Sequence, residues 1–170
     1  MKDLGSLDVL EGRPSGAGRR VAVVVSRFNS EVTDRLLAGA IAALRGAGVA
    51  APDVIVVRVP GAFELPLAAQ KVITAAKVDA VFALGAVIRG ETGHYDYVCA
   101  AAQQGLLRVG LDSGVPVLFG VLTCDTDEQA AARSGGAHGN KGADVALDAL
   151  RMIDLLETMR NGTLRAGGAR

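Results

Sequence analysis

Four of the six aromatic residues in this chain of 170 residues stand just beyond predicted strands. Phe28 follows the first run of β-branched residues, Phe63 follows the second, and Tyr95 and Tyr97 follow the third. Any one of these rings, taken alone, is better explained as a cap on the hydrophobic core. As a group they indicate a pocket for a flat ligand, because a planar heterocycle gains from stacking on aromatic rings.

The segment RGETGHYDY (89–97) could bind an anion and transfer a proton. The backbone N–H groups of Glu91 and Thr92 precede a predicted helix, whose dipole favours an anion. The His94 imidazole can exchange protons near neutral pH. Arg133, in the helix after the fourth strand, offers a planar fork that suits phosphate. Each has a plainer interpretation as a surface group, and the Glu91 carboxylate would repel phosphate unless it points to solvent.

Other residues that attract attention have structural explanations. His138 is predicted to be a surface histidine, and Lys141 and Asp144 a solvated ion pair at a helix start. Cys99 and Cys124 form neither a disulfide framework nor, with two histidines, a metal cluster. The glycines at 16–18 precede the first strand, whereas a dinucleotide-binding loop must follow it. No metal and no organic cofactor is therefore expected.

The elements that must position these residues alternate regularly. Strands are predicted at 21–26, 54–59, 79–88 and 116–124. Helices are predicted at about 65–77, 97–111 and about 141–160, together with a first helix that fades at Gly46 and Gly48 and one that follows Thr126 and breaks at 134–136. Asn29 or Ser30 is expected to cap the first helix, and Thr126 with Gln129 to form a capping box. This alternation predicts an α/β fold, a three-layer α/β/α sandwich around a four-stranded parallel sheet.

Domain organisation and charge balance limit the kinds of protein that this chain can be. Residues 1–20 are interpreted as a loosely ordered N-terminal arm, 21–160 as a single domain and 161–170 as a C-terminal tail. The 18 basic and 18 acidic residues balance, so no nucleic-acid or membrane partner is expected. The N-terminus lacks the apolar core of a signal peptide, which favours a cytoplasmic protein.

Five stretches give the chain a resemblance to the lumazine synthase family over nearly all of residues 21–160: RFNSEVTDRLLAGA, VPGAFELP, ALGAVIRGETGHYDYVC, FGVLTCDTDEQAAARSG and GNKGADVALDAL. The resemblance implies a flavodoxin-like sheet. It also implies a transferase that condenses 5-amino-6-(D-ribitylamino)uracil with 3,4-dihydroxy-2-butanone 4-phosphate to 6,7-dimethyl-8-ribityllumazine, phosphate and water, the penultimate step of riboflavin biosynthesis.

The resemblance also implies site residues. His94 would transfer protons, with Asp144 at a supporting acidic position. Arg133 and the main-chain N–H groups of Glu91 and Thr92 would bind the phosphate. The pyrimidine ring and ribityl chain would be bound by Phe28, Asn29, Gly61, Ala62, Phe63, Glu64, Ala86, Val87, Ile88, Phe119 and Lys141.

Assembly follows from the same resemblance. Phe119 and Lys141 would reach the pocket from an adjacent subunit of a homo-pentamer. The short connection SGGAHGN (134–140) favours twelve pentamers in an icosahedral shell, although Ala137 stands where such loops usually carry Lys. Association with riboflavin synthase is a further expectation.

Three other functions remain open on the residues alone. A flavin-binding carrier would explain the aromatic rings, but it would give no task to His94 and Arg133. A purely structural shell protein would not need the pocket residues. A pentameric riboflavin synthase of the archaeal type would share the fold but consume lumazine.

Overall fold

The computed structural model describes residues 9–162. The first part of the predicted N-terminal arm, residues 1–8, and most of the predicted C-terminal tail, residues 163–170, lie outside the described residues. Residues 9–20 contain no helix or strand. They run along the last helix, where the Arg13 N–H donates to Asp154 Oδ2 at 2.8 Å and Arg19 pairs with Glu157.

The sheet has four parallel strands, β1 (Val21–Ser26), β2 (Val54–Val59), β3 (Ala80–Ile88) and β4 (Val117–Cys124), in the order β2-β1-β3-β4. Every residue of β1 is buried, and so are the first seven of β3, because both strands are central and covered on both faces. This confirms the predicted three-layer, flavodoxin-like α/β fold.

Within residues 9–162, five α-helices cover the sheet: α1 (Ser30–Gly46), α2 (Leu65–Ala76), α3 (His94–Ser113), α4 (Asp127–Arg133) and α5 (Lys141–Arg160). One core layer joins α1 and α5 to the sheet and includes Leu36, Phe82 and Leu150. The other joins α2 and α3 to the opposite face and includes Leu65 and Leu106. Each such buried side chain contributes roughly 1.5–3 kcal/mol to folding.

The structure departs from the sequence prediction in two places that matter for the site. Helix α3 begins at His94, three residues before the predicted start, so His94 belongs to a helix rather than to the preceding loop. The connection between α4 and α5 forms a small antiparallel hairpin of β5 (Ser134–Gly136) and β6 (Gly139–Asn140). Strands this short, made largely of glycine, carry no alternating pattern that would predict them.

No helix within residues 9–162 is both long enough and apolar enough to cross a membrane.

Candidate active site

A cavity of about 470 Å³ opens where the central strands end. Ligands of open α/β sheets bind at this carboxyl edge, and the volume lies in the range of small-molecule pockets. The lining residues are Phe28, Gly61, Ala62, Phe63, Glu64, Ala86, Val87, Ile88, Gly90, Thr92, His94, Tyr95 and Val98. Ten of the predicted site residues are therefore brought together around one space.

The turn after β1 presents the Phe28 ring. The Phe28 N–H donates to the Pro60 carbonyl at 3.0 Å, which ties this turn to the end of β2. The ring is 69% exposed, so it lines the cavity rather than capping the core. A ring held by its backbone and left open on a face is suited to stack on a planar ligand.

Asn29 holds the same turn from the other side. It has a left-handed backbone (φ 57°, ψ 48°), which asparagine tolerates better than most residues. The sequence predicted that Asn29 or Ser30 would cap α1, but the Asn29 side chain makes no capping hydrogen bond. Instead, Asn29 Nδ2 donates to the Ala86 carbonyl at 2.9 Å, fixing the loop of Phe28 against β3. Asn29 therefore lies next to the cavity without being part of its lining.

The turn after β2 places a carboxylate in the cavity. Residues Ala62–Glu64 form one turn of 3₁₀ helix, and the Gly61 N–H donates to Glu64 Oε2 at 2.9 Å. This bond restrains the Glu64 side chain, and Glu64 lines the cavity. A carboxylate has about four acceptor sites, so Glu64 can still accept hydrogen bonds from the hydroxyl groups of a ligand.

The end of β3 forms the cavity floor. Pairing between β1 and β3 ends at Val25 and Leu84, whereas β3 continues beside β4 as far as Ile88. The last residues of β3 therefore extend beyond β1, and on that side main-chain groups can face a ligand instead of a neighbouring strand. Ala86, Val87 and Ile88 all line the cavity.

The start of α3 forms the opposite wall. His94 is the first helical residue and is exposed to solvent, and its N–H is 3.4 Å from Thr92 Oγ1. Thr92 also lines the cavity, whereas the exposed Glu91 does not. An anion bound near Thr92 would face the positive end of the dipole of a helix of 20 residues.

Two lining residues, Gly90 and Val98, were absent from the prediction, and Tyr95 had been predicted only as a member of the aromatic group and not as a family site residue. Val98 could have been predicted from the correct helix start, because residues 94, 95 and 98 lie on one face of an α-helix. Tyr97, which the sequence grouped with Tyr95, is 77% exposed and does not line the cavity.

Four predicted site residues lie away from this cavity in the single chain: Phe119, Arg133, Lys141 and Asp144. Phe119 is 41% exposed on β4, which forms one edge of the sheet. Lys141 Nζ pairs with Asp144 Oδ2 at 2.7 Å on the surface of α5, the ion pair that the spacing predicted.

Arg133 lies at the end of α4, near the last residue of β4. Its Nη1 donates to the Gln129 carbonyl at 3.0 Å. Burial raises the pKa of the Cys124 thiol, and the positive charge of Arg133 opposes that rise. Helix α4 buries Ala130 in the core layer of α1 and α5, whereas α3 and the turn at Ala62 pack on the other face of the sheet. One chain alone therefore does not bring Arg133 to the cavity lining.

No group of three or more His, Cys, Asp and Glu side chains within the described part of the chain could hold a metal ion.

Comparison with known proteins agrees with this geometry. Residues 18–157 match the family model described as 6,7-dimethyl-8-ribityllumazine synthase. A protein of that name from Desulfatibacillum aliphaticivorans is 50% identical over 152 residues, which cover 89% of this chain and 98% of the relative. Another from Gemmatimonas aurantiaca is 52% identical over 146 residues, covering 86% and 89%. A third, from Desulfotalea psychrophila, is 49% identical over 151 residues, covering 89% and 97%.

Similarity at this level, over almost the full length of these relatives, determines the family. The residues that build the cavity, from Phe28 to Val98, all lie within the matched range. The chain belongs to the 6,7-dimethyl-8-ribityllumazine synthase family.

Proposed function

We propose that this chain is a transferase that condenses 5-amino-6-(D-ribitylamino)uracil with 3,4-dihydroxy-2-butanone 4-phosphate. The products are 6,7-dimethyl-8-ribityllumazine, phosphate and water, and the reaction is the penultimate step of riboflavin biosynthesis. Family membership supports the reaction. The observation that carries it for this chain is one cavity lined by the Phe28 ring, the Glu64 carboxylate and the His94 imidazole.

The aromatic and carboxylate groups would bind the uracil substrate. Phe28 would stack on the pyrimidine ring, and the adjoining Asn29 would hold the loop of Phe28 in place through the Ala86 carbonyl. The Ala62 N–H and Glu64 would bind the ribityl hydroxyl groups, which need both donors and acceptors. The main chain at the end of β3, where pairing with β1 has stopped, would bind the ring edge.

The chemistry needs proton transfer and orientation. The uracil amine attacks the ketone, and loss of water gives an imine. Phosphate is then eliminated, and the resulting enol tautomerises to a ketone. The ribitylamino nitrogen attacks that carbonyl carbon and closes the second ring with loss of a second water. The exposed His94 imidazole lies on the cavity wall, where it would move protons during these steps. Both reactants are intrinsically reactive, so holding them together supplies much of the acceleration.

The phosphate group would bind near the start of α3. Thr92 lines the cavity there, and the N–H groups of Glu91 and Thr92 precede the helix. The exposed position of Glu91 outside the lining leaves its carboxylate free to point to solvent. Arg133 would supply the guanidinium fork. It lies outside the cavity of its own chain, so a neighbouring copy would have to bring it to the phosphate.

We propose that the complete site forms between subunits of a homo-pentamer. Phe119 and Lys141, with Asp144 beside it, lie outside the single-chain cavity and would contribute from the adjacent subunit. The outer surface of α2 and α3 exposes Leu67, Leu107 and Leu111 at 62%, 55% and 75%. Apolar side chains exposed in this way favour association with another protein surface.

Subunit mixing tests this shared site. Co-expression of His94→Ala with Lys141→Ala chains, each carrying a different tag, would form mixed rings after two-step purification. About a quarter of their interfaces would combine both intact residues if the chains assemble at random. Activity well above that of either parent supports the shared site, and activity no higher than the parents contradicts it. Pairing His94→Ala with Arg133→Ala asks the same question of Arg133.

The reaction itself is tested with purified protein and the two substrates. Formation of the fluorescent product 6,7-dimethyl-8-ribityllumazine, with release of phosphate, supports the assignment. A yellow, flavin-loaded protein without condensation activity would favour a carrier. Consumption of added lumazine would favour a riboflavin synthase. A stable assembly without either activity would favour a structural shell protein.

Two further features belong to this proposal. We propose a cytoplasmic location, because Cys99 and Cys124 of the described residues are free thiols, as is usual in a reducing compartment. Riboflavin synthase is the proposed protein partner, because it would use the lumazine product. Co-purification of tagged protein with riboflavin synthase would test the association.

A further inference from the structure

Arg89 is the first residue after β3, and the proposed mechanism assigns it no role. Its N–H donates to the Cys124 carbonyl at 2.9 Å, which continues the pairing of β3 with β4. Its side chain does not line the cavity. It nevertheless lies between the start of α3, which carries His94, and the turn that precedes α4, the helix that ends at Arg133.

The Arg89 guanidinium contacts three side chains at once. Its Nε donates to Asp125 Oδ1 at 3.0 Å, and Nη1 and Nη2 each lie 3.4 Å from Asp96 Oδ1. Its Cζ stands 3.9 Å from the centre of the Tyr95 ring. The edge of the guanidinium group is therefore used for carboxylates and its face for an aromatic ring.

Two of these contacts hold the residues that directly follow His94. Tyr95 and Asp96 are the next two residues of α3, and Tyr95 lines the same cavity as His94. Contacts of both side chains with Arg89 would restrain the first turn of α3. The direction of the His94 side chain follows from that turn, because a helical side chain moves with its backbone.

The same guanidinium is linked to Arg133. Asp125, which accepts from Arg89, donates its N–H to Gln129 Oε1 at 3.0 Å. The Gln129 carbonyl in turn accepts from Arg133 Nη1 at 3.0 Å. Contacts thus run from the start of α3 through Arg89 to the end of α4.

We propose that Arg89 is a positioning residue that sets the orientation of His94 for proton transfer. The proposal rests on the proposed function, since it assigns Arg89 an effect through His94. Lysine would keep the charge but has no planar fork for Asp125 and Asp96 and no flat face for Tyr95. The side chains of Arg89, Asp96 and Asp125 are 44%, 67% and 66% exposed, so the network adds little to global stability.

Arg89→Lys tests the proposal in the intact assembly. We expect kcat to fall roughly 10- to 100-fold, because a small displacement of a catalytic group costs about that much, with little change in either KM. In the His94→Ala background, the same substitution should cause no further loss of kcat. Equal losses in both backgrounds, or no loss in the wild type, would overturn the proposal. Arg151→Lys is the matched control, because Arg151 pairs with Asp148 on the surface of α5.

Hydrogen exchange gives a readout that does not depend on activity. Arg89→Lys and, as a second variant, Asp96→Asn should speed the exchange of amides in residues 94–98 while the central strands keep their protection. Unchanged exchange in that segment would contradict a positioning role even if the enzyme were slower. If the wild-type protein formed no lumazine, the proposed function would fail, whereas the exchange result would still show whether Arg89 fixes this turn.

Discussion

His94 illustrates how a single side chain gains a chemical role from its position. The same residue type at His138 lies exposed in the hairpin between α4 and α5, away from the cavity. His94 is also exposed, but it starts α3 and faces the space that Phe28 and Glu64 share. Residue type and solvent exposure are alike in the two histidines, so location alone separates them.

Replacing His94 with Ala should slow turnover without weakening substrate binding. General acid–base groups contribute roughly 10²- to 10⁴-fold, and we expect a loss toward the lower end because the reactants are intrinsically reactive. Single-turnover measurements would isolate the chemical step. His138→Ala serves as the control and should keep the wild-type rate. An unchanged single-turnover rate in His94→Ala would remove the imidazole from the mechanism.

Replacing Phe28 with Ala should instead act on binding. The ring is largely exposed, so its loss leaves the core intact. The loss of stacking and of apolar burial should raise KM for the uracil substrate about tenfold. Phe28→Tyr keeps the aromatic face and should stay close to the wild type. An equal increase in KM for the butanone phosphate would argue that Phe28 shapes the whole cavity rather than binding one substrate.

At the scale of elements, the sequence predicts the scaffold well. Buried strands show as continuous β-branched runs, and helices as apolar residues at a spacing of three to four, because each pattern reflects the faces that must be covered. The predicted capping box at Thr126 is half formed: Thr126 Oγ1 accepts from the Gln129 N–H, but the Gln129 side chain accepts from the Asp125 N–H rather than from that of Thr126. The start of α3 was placed too late because Gly93 and Thr92 suggested a continuing loop.

The candidate site is predictable only where it depends on strand ends. The turns after β1, β2 and β3 meet because parallel strands end at one edge, and this brings Phe28, Glu64 and His94 together. Lys141 and Phe119 have no such local signal. Whether they reach a cavity depends on surfaces between chains, which the periodicity of one chain does not encode. Asn29 shows the same limit, since its bond to Ala86 depends on tertiary contact.

The packing of α1 on α5 depends on a glycine with no room for a side chain. A Cβ at Gly142 would lie 2.1 Å from the Leu36 carbonyl oxygen, and backbone cannot move aside as a flexible side chain can. Gly142→Ala should therefore lower the free energy of unfolding by about 1–3 kcal/mol or more.

Gly46→Ala, at the end of α1, is the matched control for Gly142→Ala. An added Cβ at Gly46 meets nothing within 4 Å. It should leave stability unchanged or raise it by about 0.5–1 kcal/mol. Denaturation at one fixed protein concentration would compare the free energies of unfolding of the two variants. Equal values would show that the packing of α1 on α5 does not require a glycine at position 142.

Acid should loosen residues 9–20 from α5. The hydrogen bond from Arg19 lowers the pKa of Glu157. Because the pKa of this carboxyl group is lower in the folded than in the unfolded chain, the ionised group stabilises the folded state at pH values above the unfolded pKa, near 4.3. That stabilisation is lost as the pH falls through the lower, folded pKa. Hydrogen exchange of this segment, corrected for intrinsic rates, should accelerate over that acidic window.

Substitution of the carboxyl group tests the cause of that acid response. Glu157→Gln should remove the part of the pH dependence that arises from the pair with Arg19. Glu128→Gln is a suitable control, because the pKa of Glu128 is lowered by Thr126 at the start of α4, on a different element. An acid response that persists in Glu157→Gln would place its origin elsewhere.

At the scale of the whole molecule, the single chain leaves strand edges and apolar side chains uncovered. Both β2 and β4 are edge strands, and Val56 and Phe119 on them are 43% and 41% exposed. Unpaired strand edges invite association with other chains unless they are covered. The exposed apolar side chains of α2 and α3 lie on a separate surface, so both kinds of feature favour a ring in which each subunit covers its neighbours.

The size of the assembly should follow from the hairpin between α4 and α5. The turn at Ala137 and His138 is short and exposed, and it lies outside the cavity. The resemblance associates a short connection with shells of twelve pentamers, so light scattering should give a mass of about 1 MDa rather than about 87 kDa for a free pentamer. Inserting four residues between Ala137 and His138 should release pentamers that keep their activity, because the proposed shared site would need only the contacts within a ring. A wild-type protein with the mass of a free pentamer would show that hairpin length does not control assembly in this chain. The next residue to test would then be Ala137, which stands where shell-type loops usually carry lysine.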